Sequence, residues 1–412
     1  MTRLAMADPD VACLIEHERI RLEQTLNLIA AENHMPIAVL ETMGSVLNTK
    51  TIEGYPGKRF HAGCIHVDAV EALAVERGRM LFGAEHVNVQ PHSGTSANLA
   101  VYFAVLDIGD RILAMKLTHG GHLSHGHPAS ITGRCFDFRH YSVDPETELI
   151  DYDQVQRMAV AFQPRMIVAG ASSYPRCIDY VRMAEIARSV SAYLLVDMAH
   201  LAGLVAAGVI PSPVPHSDFV TFTGYKTLMG PRGGVILCRK AFAPNIDRTI
   251  FPGCQGTSAV NLIAAKAVTF KLAGEKAFID TQAHTVRNAA RLAAALAARG
   301  YRIVTGGTDN HLVLVDVGAR QLEGGAVEKR LESFGIIANR NVIPGDENSP
   351  GTVSGVRFGT AAVTTRGMGT AEMDVIADLI DLALMSGPDQ DAGDKLKHQV
   401  AALCKRFPVY AD

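Results

Sequence analysis

Apolar residues recur along this chain in two alternating rhythms. From His66 to Phe82 they fall near helical spacing. The short strand-like run VNVQ (87–90) follows and opens into PHSGTSANLA and a second helical stretch to about Leu106. Compact Val/Ile/Leu runs then come near Arg111 to Met115, Met166 to Ala169, Tyr193 to Asp197, Phe219 to Phe222 and Val235 to Cys238, with helical stretches between several of them. Helices alternating with short, almost wholly apolar strands predict an α/β fold with a mainly parallel sheet covered on both faces. Binding groups collect beyond the carboxyl ends of such strands.

The flanks follow other patterns. Residues 11–30 set Leu14, Ile15, Leu22, Leu26 and Ile29 near helical spacing among charged neighbours, which predicts a helical arm of the kind that packs on a partner. A second helix is expected after Pro36, running to about Leu47. The stretch TIEGYPGKRFHAGC (51–64) holds four glycines or prolines and is expected to be irregular. After about residue 270 come an Ala-rich helix (Thr285 to Ala298), strands near His311 to Val317 and Ile336 to Ala338, and closing helices. The expected organisation is an N-terminal helical arm over 1–50, a large domain over 51–270 and a smaller C-terminal α/β domain over 271–412.

Composition narrows the classes. The 412 residues are 48% hydrophobic and 20% charged, enough for a large core or an extensive subunit interface. A net charge of −3 without a basic block argues against nucleic acid as a partner, and the lack of an apolar run of about 18 residues argues against a membrane span. The seven cysteines are scattered without a CxxC, and the N-terminus lacks the apolar core of a signal peptide; both suit a reducing cytoplasm.

Chemistry gathers at the strand ends. Lys226 lies in TFTGYKTLMGPRGG (221–234), between an apolar run and a Gly/Pro-rich turn. A crowded, partly desolvated lysine is the residue that forms Schiff bases with carbonyl compounds; an ordinary loop lysine is the alternative. Ser93-Gly94-Thr95 opens a helix after a strand, where free N–H groups favour an anion such as phosphate, although Ser and Thr there also serve as simple N-caps. Asp197 ends an apolar strand, where a carboxylate needs a cation or a donor, and His200 follows three residues later. The turn THGGHLSHGHP (118–128) carries four histidines, but no Cys or acidic residue interleaves them and the spacing fits no zinc pattern. No metal is expected; a histidine stacked on a flat cofactor fits better, with the glycine pairs allowing close backbone approach. Taken together, an aspartate for a pyridinium nitrogen, a phosphate cup, a ring-facing histidine and a late lysine describe a pyridoxal phosphate site.

The motifs EGYPGKR (53–59), NVQPHSG (88–94), HGGHLSHG (119–126), VDMAHLAGLVAAG (196–208), KTLMGPRGG (226–234), TGGTDNHL (305–312) and SGVRFGT…TTRG (354–367) resemble serine hydroxymethyltransferases over nearly the whole chain. The resemblance implies the type I fold of pyridoxal phosphate enzymes, with a seven-stranded sheet in the large domain. It implies that Lys226 holds the cofactor aldehyde, Asp197 the pyridine nitrogen, and His122 the ring face. Ser93, Gly94 and Thr95 would hold the phosphate with Gln255 and Gly256 of a neighbouring subunit, and Ser172 and His200 would lie near the phenolic oxygen. Arg357 would fork onto the substrate carboxylate. Glu53 would move the hydroxymethyl proton and touch tetrahydrofolate, together with Leu117, Leu123 and the turn at Gly345. An obligate homodimer with shared sites is implied, with pairing of dimers into a tetramer left open.

Departures from the family pattern concentrate in the pocket. Thr51 stands where a tyrosine is usual, Phe60-His61 replace a tyrosine pair, and Tyr225 replaces a histidine beside the lysine. Ala31-Glu32-Asn33 lacks a usual serine, and Pro344-Gly345-Asp346 lacks an amide that reads the folate. Thr51, His61 and Tyr225 are grouped with Lys226, Glu53 and His122 as the catalytic set. Smaller side chains free room for one methyl on Cα, which favours α-methylserine and alanine over serine and glycine. Ordinary serine hydroxymethyltransferase, a folate-independent α-methylserine aldolase, a threonine aldolase or transaldolase and a silent binding homologue are the alternatives.

Overall fold

The computed structural model describes residues 2–346, 353–385 and 390–410. The chain divides into two compact units. One comprises Met35–Ala283 with Ile343–Gly345, and the other Met1–His34, His284–Val342 and Asp346–Asp412.

The first unit is built on seven strands: β1 (His86–Asn88), β2 (Arg111–Met115), β3 (Asp137–Tyr141), β4 (Met166–Ala169), β5 (Tyr193–Asp197), β6 (Phe219–Thr223) and β7 (Gly234–Cys238). Their order across the sheet is β1-β7-β6-β5-β4-β2-β3. Only β7 runs against its neighbours β1 and β6; the other pairs are parallel. This is the mainly parallel, helix-covered sheet expected for the type I fold. Strands β4 and β6 are buried at every position, because helices on both faces reward continuous apolar runs. Against one face, helix α2 (Gly94–Val105) buries Ala97, Ala100, Val101 and Tyr102 beside Ile112, Val168, Leu195, Phe219 and Ile236. Each large apolar side chain so buried contributes about 1.5–3 kcal/mol.

Strand β3 has no counterpart in the apolar pattern. It is an edge strand paired only with β2, and its sequence DFRHY leaves two residues exposed and two half-buried. The stretch over 51–64 is more ordered than its glycines suggest, since Gly54–Tyr55 and Lys58–Arg59 pair as a tight hairpin. Helix α1 (Ile65–Phe82) anchors it. Arg59 donates to Asp68 (2.8 Å), to Glu71 (2.5 Å) and to the Gly54 carbonyl (2.6 Å). Gln90 donates to the same carbonyl (3.0 Å) and to Glu71 (2.7 Å).

The second unit holds an antiparallel sheet of β8 (Arg302–Ile303), β9 (Leu312–Asp316), β10 (Asn339–Asn341) and β11 (Gly355–Gly359), in the order β8-β9-β11-β10. Its core includes Leu292, Leu296, Val313, Val356, Phe358 and Ile376. The helical arm expected over 11–30 ends at Gln24, and Leu26–Asn27 instead pair in parallel with Ile336–Ile337. Three apolar residues near a turn boundary satisfy either period, and the ladder to 336–337 wins because it buries Leu26 and Leu28 completely. The helix itself, Pro9–Gln24, buries none of its residues; Leu14 is 66% exposed.

One buried side chain ties the ends of this unit together. Arg366 donates to the carbonyls of Leu22 (3.3 Å), Glu23 (3.0 Å) and Thr25 (3.0 Å), and to those of Cys404 (2.9 Å) and Phe407 (2.6 Å). These lie at the C-terminal ends of helices Pro9–Gln24 and Gln390–Arg406, where helix geometry leaves carbonyls without an intrahelical donor. The guanidinium's charge also opposes the negative end of each helix dipole.

Candidate active site

A cleft opens at the carboxyl ends of the strands of the large sheet. Strand β5 ends in Asp197, β6 leads to Tyr225 and Lys226, β4 to Ala171 and Ser172, and the segment after β1 to His92–Thr95. His122 and His125 come from the turn after β2, and His200, Thr223, Arg232 and Gly233 complete the wall. Among the sequence-predicted residues, this cleft brings together Lys226, Asp197, His122, Ser93, Gly94, Thr95, Ser172, His200 and Tyr225.

Asp197 is buried and held from several sides. Asn98 donates to Oδ2 at 2.8 Å, His125 Nε2 lies 3.1 Å from the same oxygen, and the Ala199 N–H donates to Oδ1 at 3.0 Å. Asn98 is itself fixed, donating to Ser124 (2.9 Å) and accepting from the Thr221 hydroxyl (2.5 Å). Burial alone would raise the Asp197 carboxyl, but the hydrogen bond and charge of His125, with His122 and Asn98, hold it well below the usual carboxylate range. Burial pushes the half-buried His122 down to about 4, against the pull of Asp197. A neutral imidazole beside a standing carboxylate is the result. The His122 Nδ1 lies 2.8 Å from the Ser124 hydroxyl, which orients its ring.

The turn carrying these histidines uses its glycines differently from the expectation. A side chain on Gly121 would meet the Met115 carbonyl at 2.4 Å, and one on Gly120 (φ +114°) the Tyr174 nitrogen at 3.1 Å. The close approach is therefore to the protein's own backbone. The Ser172 hydroxyl belongs to the same packing, donating to Gly121 O at 2.8 Å.

At the other end of the cleft, Ser93 caps α2 in a reciprocal box with Ser96: its Oγ accepts from Ser96 N (3.1 Å), and Ser96 Oγ from Ser93 N (2.9 Å). Capping and anion binding coexist here, because the box leaves the Gly94 and Thr95 N–H groups at the positive end of the helix. Thr223 adds a hydroxyl that is buried and has no hydrogen-bond partner. Beside it, Lys226 is buried to 7% exposure, and the Arg232 guanidinium stacks 4.4 Å from the Tyr225 ring. An anionic acceptor for a ring N–H, an amine for an aldehyde, and helix-end N–H groups with an unpartnered hydroxyl for a phosphate suit pyridoxal phosphate.

The remaining predicted residues do not line this cleft. Thr51 is exposed and borders a separate recess with Lys50, His92, Thr257 and Ser258. Glu53 lies on the hairpin, and its Oε1 comes within 3.7 Å of where a side chain on Gly256 would begin. His61 is exposed, while Gln255 donates to Gln90 O (2.7 Å) and Ser258 Oγ (2.9 Å). Leu117 and Leu123 are exposed at 40% and 53%, and Gly345 sits at φ +79°. Arg357 belongs to the other unit, on β11, donating from Nε to Asn339 (3.2 Å); burial pushes its guanidinium down to about 10.

Several site residues carry no motif. Asn98 is the one amide on the buried face of an otherwise apolar helix, which is a readable signal. His125 was hidden among four histidines. The fold also supplies the acidic group missing from that turn: one ligand atom each of His122, His125 and Asp197 lie within 4.8 Å of one another.

The family model described as serine hydroxymethyltransferase matches residues 4–380. That family uses pyridoxal phosphate, with tetrahydrofolate as co-substrate, to transfer one-carbon groups. The match spans both units and every strand of the cleft, and this chain belongs to the serine hydroxymethyltransferase family.

Proposed function

We propose that this enzyme breaks and makes the Cα–Cβ bond of a β-hydroxy amino acid, with α-methylserine and alanine as its favoured pair and tetrahydrofolate as the one-carbon carrier. The observation that carries the reaction class is the meeting of Lys226 and Asp197 in one cleft with a helix-end anion cradle. Pyridoxal phosphate, when bound, supplies the sink for the electron pair left at Cα. Lys226 would hold its aldehyde carbon. Asp197, kept anionic by Asn98 and His125, would keep the proton on the ring nitrogen. Ser93, Gly94, Thr95 and Thr223 would hold the phosphate, His122 would bear on the ring face, and Ser172 and His200 would serve the phenolic oxygen. Arg357, assigned from the resemblance and its residue chemistry alone, would bind the substrate carboxylate. Glu53 would take the proton from the substrate hydroxyl as the bond breaks and return it in the synthetic direction.

Substrate choice rests on Thr51 and His61, smaller than the tyrosines usual there, with Tyr225 as the third departure. Its ring is occupied by Arg232, which turns the position beside Lys226 into a stacked cation and phenol instead of an imidazole. With Thr51 and His61 in place of tyrosines, this favours a substrate bearing one more methyl. Thr51, Glu53, His61, Gln255 and Gly256 stand outside the cleft of their own chain, while Glu53 approaches Gly256 and Thr51 shares a recess with Thr257. That grouping supports a homodimer in which a second copy brings these residues to the cleft. All seven cysteines are free, which suits the cytoplasm, and among the described residues no helix is long and apolar enough to cross a membrane.

The deciding experiment measures cleavage of serine and of both α-methylserine enantiomers, each with and without tetrahydrofolate. The proposal expects α-methylserine to be preferred and folate to accelerate it. Preference for serine would return the enzyme to the ordinary reaction, and equal rates without folate would make it an aldolase. Aldehyde exchange with threonine would reveal a transaldolase. Purified protein lacking the cofactor's visible absorption would identify a silent homologue.

A further inference from the structure

Strand β1 leaves its ladder early. Its last paired residue is Asn88, opposite Ile236, yet Val89, Gln90 and Pro91 remain buried on the way to Ser93. The carbonyls of Val89 and Gln90 therefore lose the donors a longer strand would have provided, and buried carbonyls need partners; that of Pro91 still accepts from the Gly234 N–H at 2.9 Å. Gln255 and Ser258 donate to that of Gln90, at 2.7 and 2.9 Å. That of Val89 falls to Lys266, which reaches in from helix α3 (Val260–Ala273). Its Nζ lies 2.6 Å from Val89 O and 3.4 Å from Pro91 O, and it also donates to Gly234 O at 2.9 Å.

This ammonium is 3% exposed, one layer behind the cleft wall. Gly233, which lines the cleft at φ +125°, makes room for it: a side chain there would meet Nζ at 2.8 Å. Gly234 packs as closely on the other side, where a side chain would meet Ser93 O at 2.2 Å. Lys266 thus joins the two segments that frame one end of the cleft. One runs through Val89–Pro91 into Ser93–Thr95, and the other leaves the turn that follows Lys226 and enters β7.

We infer that Lys266 is a positioning residue for the phosphate end of the cofactor, clamping Val89–Pro91 to Gly234 from behind so that the Ser93–Thr95 cradle keeps its place against the Lys226–Gly233 turn. The inference rests on reading Ser93–Thr95 as the phosphate cradle. It assigns no contact between Lys266 and the cofactor. Lys266→Met keeps the length of the side chain and removes all its donors.

The test measures dissociation constants of the apoenzyme for pyridoxal phosphate and for pyridoxal, which lacks the phosphate, by absorption and fluorescence titration. Lys266→Met is expected to weaken pyridoxal phosphate roughly tenfold while pyridoxal changes less than about twofold. Lys266→Gln, which retains an amide donor, should fall between and reports if the Met variant does not fold. Equal weakening of both ligands, or no weakening of either, overturns the inference, since a general loss of structure has no preference for the phosphate. A double Ser93→Ala, Thr95→Ala variant tests the underlying reading. If it leaves the ratio of the two constants unchanged, the cradle and the inference fall together. If it lowers the preference for the phosphorylated ligand while both Lys266 variants keep it, the inference alone falls.

Discussion

Among the described residues, each unit buries a cation whose hydrogen bonds go to backbone carbonyls, and the two differ in what they can release. Arg366 spends five N–H donors on five carbonyls at the ends of two helices. A guanidinium presents its donors in one rigid planar fork, so that staple is fixed. Lys266 has three N–H donors for the carbonyls of Val89, Pro91 and Gly234. Burial pushes it down to about 7, with Glu71 pulling the other way. On losing its proton the amine keeps two donors for three acceptors. Clustered buried carbonyls are met by a fixed group where only architecture is at stake and by a titratable one behind the cleft.

Replacing Arg366 with Met should have the largest effect. It removes five hydrogen bonds to buried carbonyls, of which, among the described residues, Cys404 O alone keeps a second donor, the Phe407 N–H, and is expected to lower the unfolding free energy by about 3–5 kcal/mol, read from denaturant curves. A loss under about 1 kcal/mol would remove Arg366 from the comparison.

Lys266 should appear as a pH slope. Its folded pKa is depressed below the unfolded value, so from about 7 to 10.5 the unfolded chain binds the extra proton and stability from this group rises with pH. The rise is at most about 1.4 kcal/mol per pH unit. Across this range the stability of the parent should rise with pH more steeply than that of Lys266→Met, which lacks the amine. Parallel curves would mean that Lys266 does not titrate there.

A further cation with a buried side chain, Arg59, sharpens the contrast because its partners include the carboxylates of Asp68 and Glu71. Arg59→Lys keeps the charge but loses the fork that holds the hairpin bearing Glu53. We expect kcat/KM to fall roughly tenfold with the bound cofactor's absorption unchanged, since Lys226 and Asp197 are untouched. Loss of cofactor along with activity would show that the hairpin supports more than Glu53.

The smallest effect concerns His34, which burial, followed by the charge of Arg366, pushes down to about 4. Its folded pKa is depressed, so its share of stability is lost as pH falls from 6.5 towards 4. His34→Gln should flatten that acid slope, by at most about 1.4 kcal/mol per pH unit over this narrower window. Arg366→Met should flatten it partly as well, because one cause of the shift is gone.

How far the chain could be read in advance follows from burial. Strands β2, β4 and β5 carry short apolar runs bounded by turns and were legible to the residue, because a sheet covered on both faces rewards such runs. Strand β3 was not, since an edge strand with one solvated side writes DFRHY, which looks like a loop. Leu26 and Asn27 were taken into a helix because their true partner, Ile336–Ile337, lies some three hundred residues away, beyond any local period. In the cleft, Lys226, Asp197 and Ser93 stood at strand ends and could be found. Lys266 stood in plain view as the lone charge among buried neighbours in NLIAAKAV and was passed over, because a lysine in a helix reads as surface. Its acceptors are main-chain atoms, which leave no trace in a sequence.

The clamp at Lys266 also sets an order of events during synthesis. Lys266 lies 177 residues downstream of Val89, and Asp197 lies 99 residues beyond Asn98. A ribosome that has translated the whole Ser93–Thr95 stretch has made one lip of the cleft and none of its brace. Until helix α3 has emerged, the growing chain has no finished seat for a phosphate, so capture of the cofactor is a late step, completed only when most of the first unit is already out.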